Sequence, residues 1–97
     1  MNENIKVFAG SSSKLFAQGI CHYLGIPLGK SDTLKFSDGN LFVRANESVR
    51  QKDIYLVQSI GLSPNDDFTE ILFWIDAFKR ASAHSVTAII PYFGYAK

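Results

Sequence analysis

The stretch that decides the fold is DIYLVQSIGLSPNDDFTEILFWIDAFKRASAHSVTAII, residues 53–90. Its first part, residues 53–59, is β-rich and apolar in the middle, as is typical of a strand covered on both faces. Ser63 at the N-cap and Pro64 at the first helical position then predict the start of a helix. A second apolar run follows at residues 86–90. This strand–helix–strand order predicts a parallel sheet with helices packed against it.

The helix predicted in this stretch, which ends near residue 82, is apolar over an unusually wide arc. Its apolar residues at helical spacing are expected to face inward as one stripe, formed by Phe68, Ile71, Leu72, Ile75 and Phe78. Phe73 and Trp74 lie outside this stripe. We therefore expect the helix to have a second packing partner besides the sheet, either a neighbouring helix or another subunit.

At the amino-terminal end, residues 5–9 predict a short buried strand, and GSSSK at residues 10–14 follows it directly. One of these serines can cap a helix that runs to about Leu24, where Gly25 can close it. A phosphate can bind free backbone N–H groups at such a turn, but the P-loop spacing G-x-x-x-x-G-K-[ST] is absent. A serine-rich helix cap is favoured over a ligand-binding loop.

Residues 33–36 and 41–45 flank the dipeptide Asp38-Gly39 and predict a β-hairpin. Phe36 is a large aromatic residue two positions before this polar turn, either a strand-end core residue or an exposed ring that binds something flat. With the hairpin included, the sequence predicts an α/β fold: a mostly parallel sheet covered by helices on both faces, with an inserted β-hairpin. Residues 1–97 are expected to form a single domain.

Several other polar residues have simpler explanations than catalysis. Asp66, Asp67 and Glu70 resemble an acidic metal cluster, but a place at the start of a helix explains them through the helix dipole. His22 and His84 have no cysteine or carboxylate at metal-ligand spacing beside them, so we expect surface or interface histidines.

The composition is that of a soluble globular domain, with 46% hydrophobic and 20% charged residues. A net charge of +1 with scattered basic residues gives no electrostatic footprint for nucleic acid. No apolar run approaches the roughly 18 residues of a membrane span, and no signal peptide is evident. Cys21, the single cysteine, excludes an internal disulfide framework and is expected in the core. A cytoplasmic location is the default expectation.

The loop NESVRQKD at residues 46–53 has two interpretations. Ser48 and Arg50 are placed so that both can reach one anion, and arginine binds phosphate oxygens through two parallel hydrogen bonds. By composition alone, the loop is more simply a solvated connection between two strands.

The ordered segments FAGSSS, LGKSDTLKFSDGN, ESVRQKDIYLVQS and NDDFTEILFWIDAFKRASAHSVTAIIPYFGYAK closely resemble the N-terminal domain of ribose-phosphate diphosphokinases, or PRPP synthetases. The likeness covers essentially the whole chain. Enzymes of this family transfer the β,γ-diphosphoryl group of Mg-ATP to the 1-hydroxyl of ribose 5-phosphate. The resemblance therefore implies ATP and ribose 5-phosphate as substrates, Mg²⁺ as cofactor, and the first of two phosphoribosyltransferase-like domains.

The F-S-[ND]-x-E hairpin motif of the family falls on residues 36–40. The resemblance implies that Phe36 packs on the adenine of ATP bound in a neighbouring subunit, and that Asp38 and Asn40 belong to the same ATP-binding tip. The family carries glutamate where Asn40 stands. An amide can still accept a hydrogen bond from the adenine amino group through its oxygen.

The resemblance also assigns anion contacts. After its Tyr-Ala pair the family has an Arg-Gln-Asp segment that binds ATP phosphates, and Lys97 stands at the arginine position. In the phosphate-activated, ADP-inhibited branch, an allosteric anion site uses the residues that match Ser48, Arg50 and Ser82. For the loop at 46–53, a regulatory anion contact and a simple connection are then equally favoured.

The catalytic and metal-binding loops of the family have no counterpart in these 97 residues, so we expect a fragment that is inactive alone. The apolar ending VTAIIPYFGYAK supports that expectation. The family assembles as homodimers that build hexamers, which implies a homo-oligomer. The alternative function is a non-catalytic, PRPP synthetase-associated regulatory or assembly subunit, because Asn40 and Lys97 depart from the family pattern.

Overall fold

The computed structural model describes residues 4–37, 39–61 and 63–94, in which five strands and two helices follow one another. In chain order they are β1 (Ile5–Ala9), α1 (Lys14–Leu24), β2 (Ser31–Lys35), β3 (Leu41–Ala45), β4 (Asp53–Val57), α2 (Pro64–Arg80) and β5 (Ser85–Ile89). Among the described residues, neither helix has the length and hydropathy of a membrane-spanning segment.

Three strands form a parallel sheet in the order β1-β4-β5. In its register Ile5 lies opposite Asp53, and Asp53 lies opposite Ser85. The other two strands, β2 and β3, form a separate antiparallel pair inserted between α1 and β4. The predicted parallel sheet and inserted hairpin are both confirmed.

Each face of the parallel sheet is covered by one helix. Because side chains alternate along a strand, Phe8 and Leu56 face α2, whereas Val7, Ala9 and Val57 face α1. The prediction of a sheet covered on both faces is therefore confirmed. The carboxyl ends of β1 and β4 are left at one edge, where the loops that follow them meet.

The buried face of α2 differs from the predicted stripe. Trp74 is fully buried, with its ring centroid 6.3 Å from Phe8 and 5.2 Å from Phe78. Phe68 and Leu72 remain 41% and 49% exposed. The predicted inward placement of these two residues is wrong, and Trp74, which lies outside the predicted stripe, belongs to the core.

The physical reason for this difference is the hairpin. Its strand β3 packs on α2, and Val43 joins the same core cluster as Trp74 and Phe78. The second packing partner of α2 is therefore the inserted hairpin, and neither of the two predicted partners is needed to explain the wide apolar arc. With so many apolar side chains on one helix, tertiary packing decides which of them become buried.

Both helices begin where the sequence predicts, although their caps differ. Pro64 opens α2 at the first helical position, and Gly25 closes α1 at a φ of 74°. Ser13 and Ser63 occupy the N-cap positions, but neither side chain makes a capping hydrogen bond. The predicted helix starts are confirmed, and the predicted capping role of their serines is wrong.

The buried side of α1 consists of small residues. Ala17 and Cys21 pack against β1 and β4, so Cys21 is a core residue as predicted, and burial raises the pKa of its thiol. Leu15 and Tyr23 on the same helix are 84% and 89% exposed. Helix α1 thus carries a second apolar face that nothing in the described residues covers.

Candidate functional site

The tip of the hairpin presents an aromatic ring to solvent. The Phe36 amide donates to the Asn40 carbonyl at 2.8 Å, and the Gly39 amide donates to the Phe36 carbonyl at 3.0 Å. Gly39 has a φ of 92°, which glycine adopts without steric strain. The Phe36 side chain is 54% exposed. Of the two predicted alternatives for this residue, the exposed ring agrees with the structure.

The tip lies beside the amino-terminal half of α2. Lys35 forms an ion pair with Asp66, with 2.9 Å between Nζ and Oδ2. Between hairpin and helix lies a cavity of about 420 Å³, whose lining includes Thr33, Asn40, Leu41, Glu70 and Phe73. Of the predicted ATP contacts, the structure describes Phe36 and Asn40, whereas Asp38 and Lys97 lie outside the described residues.

The loop between β3 and β4 is anchored by Val49, which is 2% exposed, so that its neighbours Ser48 and Arg50 face solvent. The Gln51 amide donates to the Ser82 carbonyl at 2.9 Å. Gln51 and Ser82 both have positive φ angles, 61° and 66°. The structure therefore brings the loop that carries Ser48 and Arg50 against the turn that carries Ser82.

In this part of the chain Arg50 has a free guanidinium: within the described ranges no carboxylate forms an ion pair with it. Its backbone amide donates to the Ser48 hydroxyl at 3.4 Å. A free arginine beside a hydroxyl at a loop surface is suited to binding an anion.

A polar cluster stabilises the end of the same loop. Asp53 accepts hydrogen bonds from Ser85 Oγ and pairs with His84 Nδ1, both at 2.7 Å. These hydrogen bonds, first that of His84 and then that of Ser85, hold the pKa of Asp53 below its usual range. The His84 amide also donates to the Lys52 carbonyl at 2.8 Å. Because Ser85 bonds to Asp53 rather than to the imidazole, the cluster is not arranged as a nucleophile with its base.

The GSSSK turn after β1 does not offer its backbone N–H groups to a ligand. The amides of residues 10–13 donate in turn to Val57 O, Glu70 Oε2, Gln58 Oε1 and Gly10 O, at 2.8, 2.9, 3.1 and 3.2 Å. Gly10 is required here because a Cβ would collide with the Gln58 side-chain amide. The structure thus agrees with the prediction against a phosphate loop.

Glu70 and Gln58 are the residues that sequence reasoning missed. Glu70 was explained by the helix dipole, but it lies beyond the first turn of α2 and is 2% exposed. Its carboxylate accepts from Trp74 Nε1 at 3.0 Å and from Gln58 Nε2 at 3.1 Å. The available signal was its spacing of four residues from Trp74, which places both residues on one helix face.

No dedicated magnesium site is evident in the part of the chain that the structure describes, where no three histidine, cysteine, aspartate or glutamate side chains converge. Mg²⁺ that is bound together with a nucleotide takes most of its ligands from phosphate oxygens and water and does not require such a cluster.

Comparison with known proteins identifies the family. The model of the N-terminal domain of ribose phosphate pyrophosphokinase matches residues 5–97. A ribose-phosphate pyrophosphokinase of Rhizobium meliloti (strain 1021) is 48% identical over 93 residues, which is 96% of this chain and 30% of the relative. The chloroplastic ribose-phosphate pyrophosphokinase 1 of Arabidopsis thaliana is 46% identical over 96 residues, 99% of this chain and 24% of the relative.

Solved structures agree with the sequence comparison. The crystal structure of phosphoribosylpyrophosphate synthetase from Mycobacterium smegmatis superposes with a TM-score of 0.91 at 36% identity, over 96% of this chain and 31% of that one. A hypoxanthine-guanine phosphoribosyltransferase from L. donovani shares the fold alone, with a TM-score of 0.65 at 10% identity, over 93% of this chain and 54% of that one. The chain thus spans about 30% of the length of the curated relative from Rhizobium meliloti. It belongs to the family of N-terminal domains of ribose phosphate pyrophosphokinases.

Proposed function

We propose that this chain is the ATP-side part of a ribose-phosphate diphosphokinase, which transfers diphosphate from ATP to ribose 5-phosphate and forms PRPP. Family membership over residues 5–97 supports the proposal. Catalysis of this transfer consists largely of positioning the substrates and neutralising phosphate charge. Mg²⁺ bound with ATP would supply part of the positive charge. In this reaction the domain binds the nucleotide and holds the subunits of the oligomer together. The 97 residues alone are expected to be inactive.

The observation that carries the proposal is the exposed ring of Phe36 at the hairpin tip. A hydrophobic ring that is 54% exposed gains little from its own fold, and it offers a flat face on which an adenine can stack. The main-chain hydrogen bonds between Phe36, Gly39 and Asn40 fix the backbone that carries this ring. Asp38, Asn40 and Lys97 complete the proposed ATP contacts.

Replacement of Phe36 by alanine tests the platform in the full-length protein that carries this chain. Loss of one base-stacking contact should raise the KM for ATP by about tenfold, with a much smaller effect on the KM for ribose 5-phosphate. PRPP formation at varied ATP concentration measures the change.

Phe42→Ala is the matched control, because Phe42 lies on the same hairpin and is 45% exposed. It should leave the KM for ATP near the wild-type value. Equal effects of the two substitutions would mean that Phe36 contributes packing and not an adenine contact. A well-folded full-length protein without PRPP synthesis would contradict the enzymatic function altogether.

The second site in the proposal is a regulatory anion site at Ser48, Arg50 and Ser82. The loop of Ser48 and Arg50 contacts the Ser82 backbone, and Arg50 has no ion-pair partner in the described ranges. Inorganic phosphate or the phosphates of ADP have the charge and oxygen geometry that an arginine and two hydroxyls recognise.

Assembly and location complete the proposal. We place the protein in the cytoplasm as a homo-oligomer, a dimer that builds a hexamer. The predicted arc around Phe73 and Trp74 no longer supports assembly, because Trp74 is buried and offers no contact surface. The exposed apolar face of α1 around Leu15 and Tyr23 supports it instead. The single cysteine, Cys21, is buried and unpaired, which suits a reducing compartment.

A non-catalytic, PRPP synthetase-associated subunit is the second candidate function. Asn40 favours it, because a neutral amide stands at the tip where the family carries a carboxylate. The same PRPP assay separates the two candidates, since an associated subunit would alter the activity of a partner enzyme and form no PRPP itself.

A further inference from the structure

Glu70 is a buried carboxylate that the proposed function does not use. It lies on α2 and is 2% exposed. Five hydrogen bonds reach its two oxygens. Their donors are Ser11 N at 2.9 Å, Ser11 Oγ at 2.6 Å, Trp74 Nε1 at 3.0 Å, Gln58 Nε2 at 3.1 Å and Thr33 Oγ1 at 3.4 Å. All of them are neutral groups.

No cation neutralises this carboxylate within the described residues, where neither lysine nor arginine forms an ion pair with it. A buried carboxylate without a cationic partner requires several strong hydrogen bonds to remain in the core. Glu47 shows the usual alternative, since it is partly buried and pairs with Lys6. The five neutral donors around Glu70 therefore perform the task that a lysine performs at Glu47.

The place of this carboxylate is informative. Ser11 lies in the turn between β1 and α1, where a ligand anion can bind backbone N–H groups in other proteins. Here the Ser11 amide and hydroxyl both donate to Glu70, and the neighbouring Ser12 amide and hydroxyl donate to Gln58 Oε1 at 3.1 and 2.9 Å. The chain thus supplies its own anion to this turn.

The same carboxylate connects the turn to the hairpin. Thr33 belongs to β2, and its hydroxyl donates to the oxygen that also accepts from Ser11 N. The ion pair of Lys35 with Asp66 adds a second polar connection between β2 and α2. Strand β2 leads directly to Phe36, so the position of the hairpin tip depends on how β2 is held on α2.

We propose that Glu70 is a positioning residue: an internal anion that fills the turn after β1 and holds that turn, the end of β4 and the hairpin on α2. It thereby sets where Phe36 and Asn40 stand. The last step rests on the proposed function of the hairpin tip, whereas the internal-anion role does not depend on it.

Glu70→Gln tests the internal anion in the 97-residue chain. In either orientation the NH₂ group of the new amide faces a donor that cannot accept, either Ser11 N and Trp74 Nε1 or Gln58 Nε2. We expect a fall in Tm of about 10 °C, because buried donors left without acceptors are costly and small domains lose several degrees per kcal/mol. The Ser11 amide should exchange with solvent about tenfold faster or more, as measured by NMR.

Glu70→Ala adds a second readout, because it leaves space for a small carboxylate. Formate at constant ionic strength should raise the Tm of Glu70→Ala and slow the exchange of the Ser11 amide, relative to chloride. Should this variant not fold in chloride, recovery of folding in formate is the readout. Glu47→Ala is the matched control: its site is partly exposed, so water can replace the carboxylate and the response to formate should be smaller.

A Glu70→Gln variant with wild-type Tm and wild-type Ser11 exchange would overturn the internal-anion role. So would a formate response of Glu70→Ala no larger than that of Glu47→Ala. Either outcome leaves the proposed ATP function untouched, since Phe36→Ala tests that function separately.

The positioning role is tested in the full-length protein by the same Glu70→Gln substitution. Lost positioning should raise the KM for ATP severalfold, whereas simple destabilisation would lower kcat and leave the KM unchanged. An unchanged KM in Glu70→Gln, together with a raised KM in Phe36→Ala, would overturn the positioning role while the ATP platform stands.

Discussion

Asn40 closes the hairpin tip through its backbone and carries the least expected side chain of the proposed ATP site. Its carbonyl accepts from the Phe36 amide at 2.8 Å, a contact that any residue could supply. A carboxylate here accepts a stronger hydrogen bond from an adenine amino group than an amide does, because bonds to charged groups are worth more.

Substitution of Asn40 should change ATP binding in a defined order. Asn40→Glu strengthens the hydrogen-bond acceptor and should lower the KM for ATP by about fivefold. Asn40→Ala removes the acceptor and should raise the KM for ATP. Steady-state PRPP synthesis by the full-length protein measures both. An Asn40→Ala variant with wild-type KM would show that the side chain makes no contact with the nucleotide.

Glu70 shows at the same scale how a buried charge escapes sequence reasoning. A glutamate near the start of a helix is most simply explained by the dipole, which needs no tertiary contact. Its actual environment is formed by Ser11, Thr33, Gln58 and Trp74. Three of these four residues are at least 12 positions away in the sequence, so local spacing carries almost no information about them.

At the scale of elements, the loop between β3 and β4 forms one unit with the turn after α2. Val49 fixes the loop to the core, and the Gln51–Ser82 hydrogen bond fixes it to the turn. Two positive φ angles at Gln51 and Ser82 shape the contact. Residues other than glycine adopt positive φ angles at an energetic cost. Gln51 and Ser82 do so at the place where the anion contacts are proposed.

Arg50→Ala should weaken the response of the full-length protein to inorganic phosphate. Loss of a charge-assisted, two-pronged contact should raise the phosphate concentration at half-maximal effect by about tenfold. Arg50→Lys should fall between Ala and wild type, because lysine keeps the charge and loses the fork. Activity measured against phosphate concentration gives the midpoints.

Arg44→Ala is the control for this series. Arg44 is exposed on β3 and is already engaged, with its Nη2 3.2 Å from Asp32 Oδ2. Equal shifts of the phosphate midpoint for Arg44→Ala and Arg50→Ala would indicate a general charge effect instead of a site at the loop.

Helix α2 shows what periodicity can and cannot predict for an element. Its start at Pro64 was predicted correctly, because proline at the first helical position is a local preference. Its buried face was predicted only in part: Ile71 and Phe78 are buried as predicted, but Leu72 is exposed. Trp74, which lies outside the predicted stripe, is buried in the core. The helix has enough apolar side chains for several orientations, and the hairpin on its flank selects the orientation that buries Trp74.

At the scale of the whole molecule, the apolar face of α1 is a surface that none of the described residues covers. Leu15, Phe16, Gly19, Ile20, Tyr23 and Leu24 line a shallow apolar depression there. Leu15 and Tyr23 are 84% and 89% exposed. Exposed apolar patches of this kind commonly mark protein–protein contacts.

Tyr23→Glu should therefore disrupt the proposed homo-oligomer, because it places a charge in an apolar contact. Sedimentation velocity over a range of concentrations should show smaller species for this variant than for the wild type. Phe73→Glu on α2 is the matched control, since Phe73 is 41% exposed and was the originally predicted contact. Dissociation by Phe73→Glu and not by Tyr23→Glu would assign the contact to α2 instead.

The sequence by itself determined the order and type of the elements, the parallel sheet and the hairpin, whereas the structure decided that Phe36 is exposed. These features depend on local signals, namely the alternation of strands and helices, Pro64 at a helix start, and Gly39 at a turn. It also carried the family resemblance, which the comparisons confirmed. Asp38 and Lys97 lie outside the described residues, and their assigned roles remain predictions.

Only the tertiary structure decided which face of α2 is buried, that the hairpin covers it, and that Glu70 is buried among donors from distant segments. The tertiary structure also decided that the serines after β1 bond to Gln58 and Glu70 and do not cap α1. Each of these outcomes depends on contacts between segments far apart in the chain. A short sequence window cannot encode them, because burial and hydrogen-bond partners are set when the sheet, the helices and the hairpin pack together.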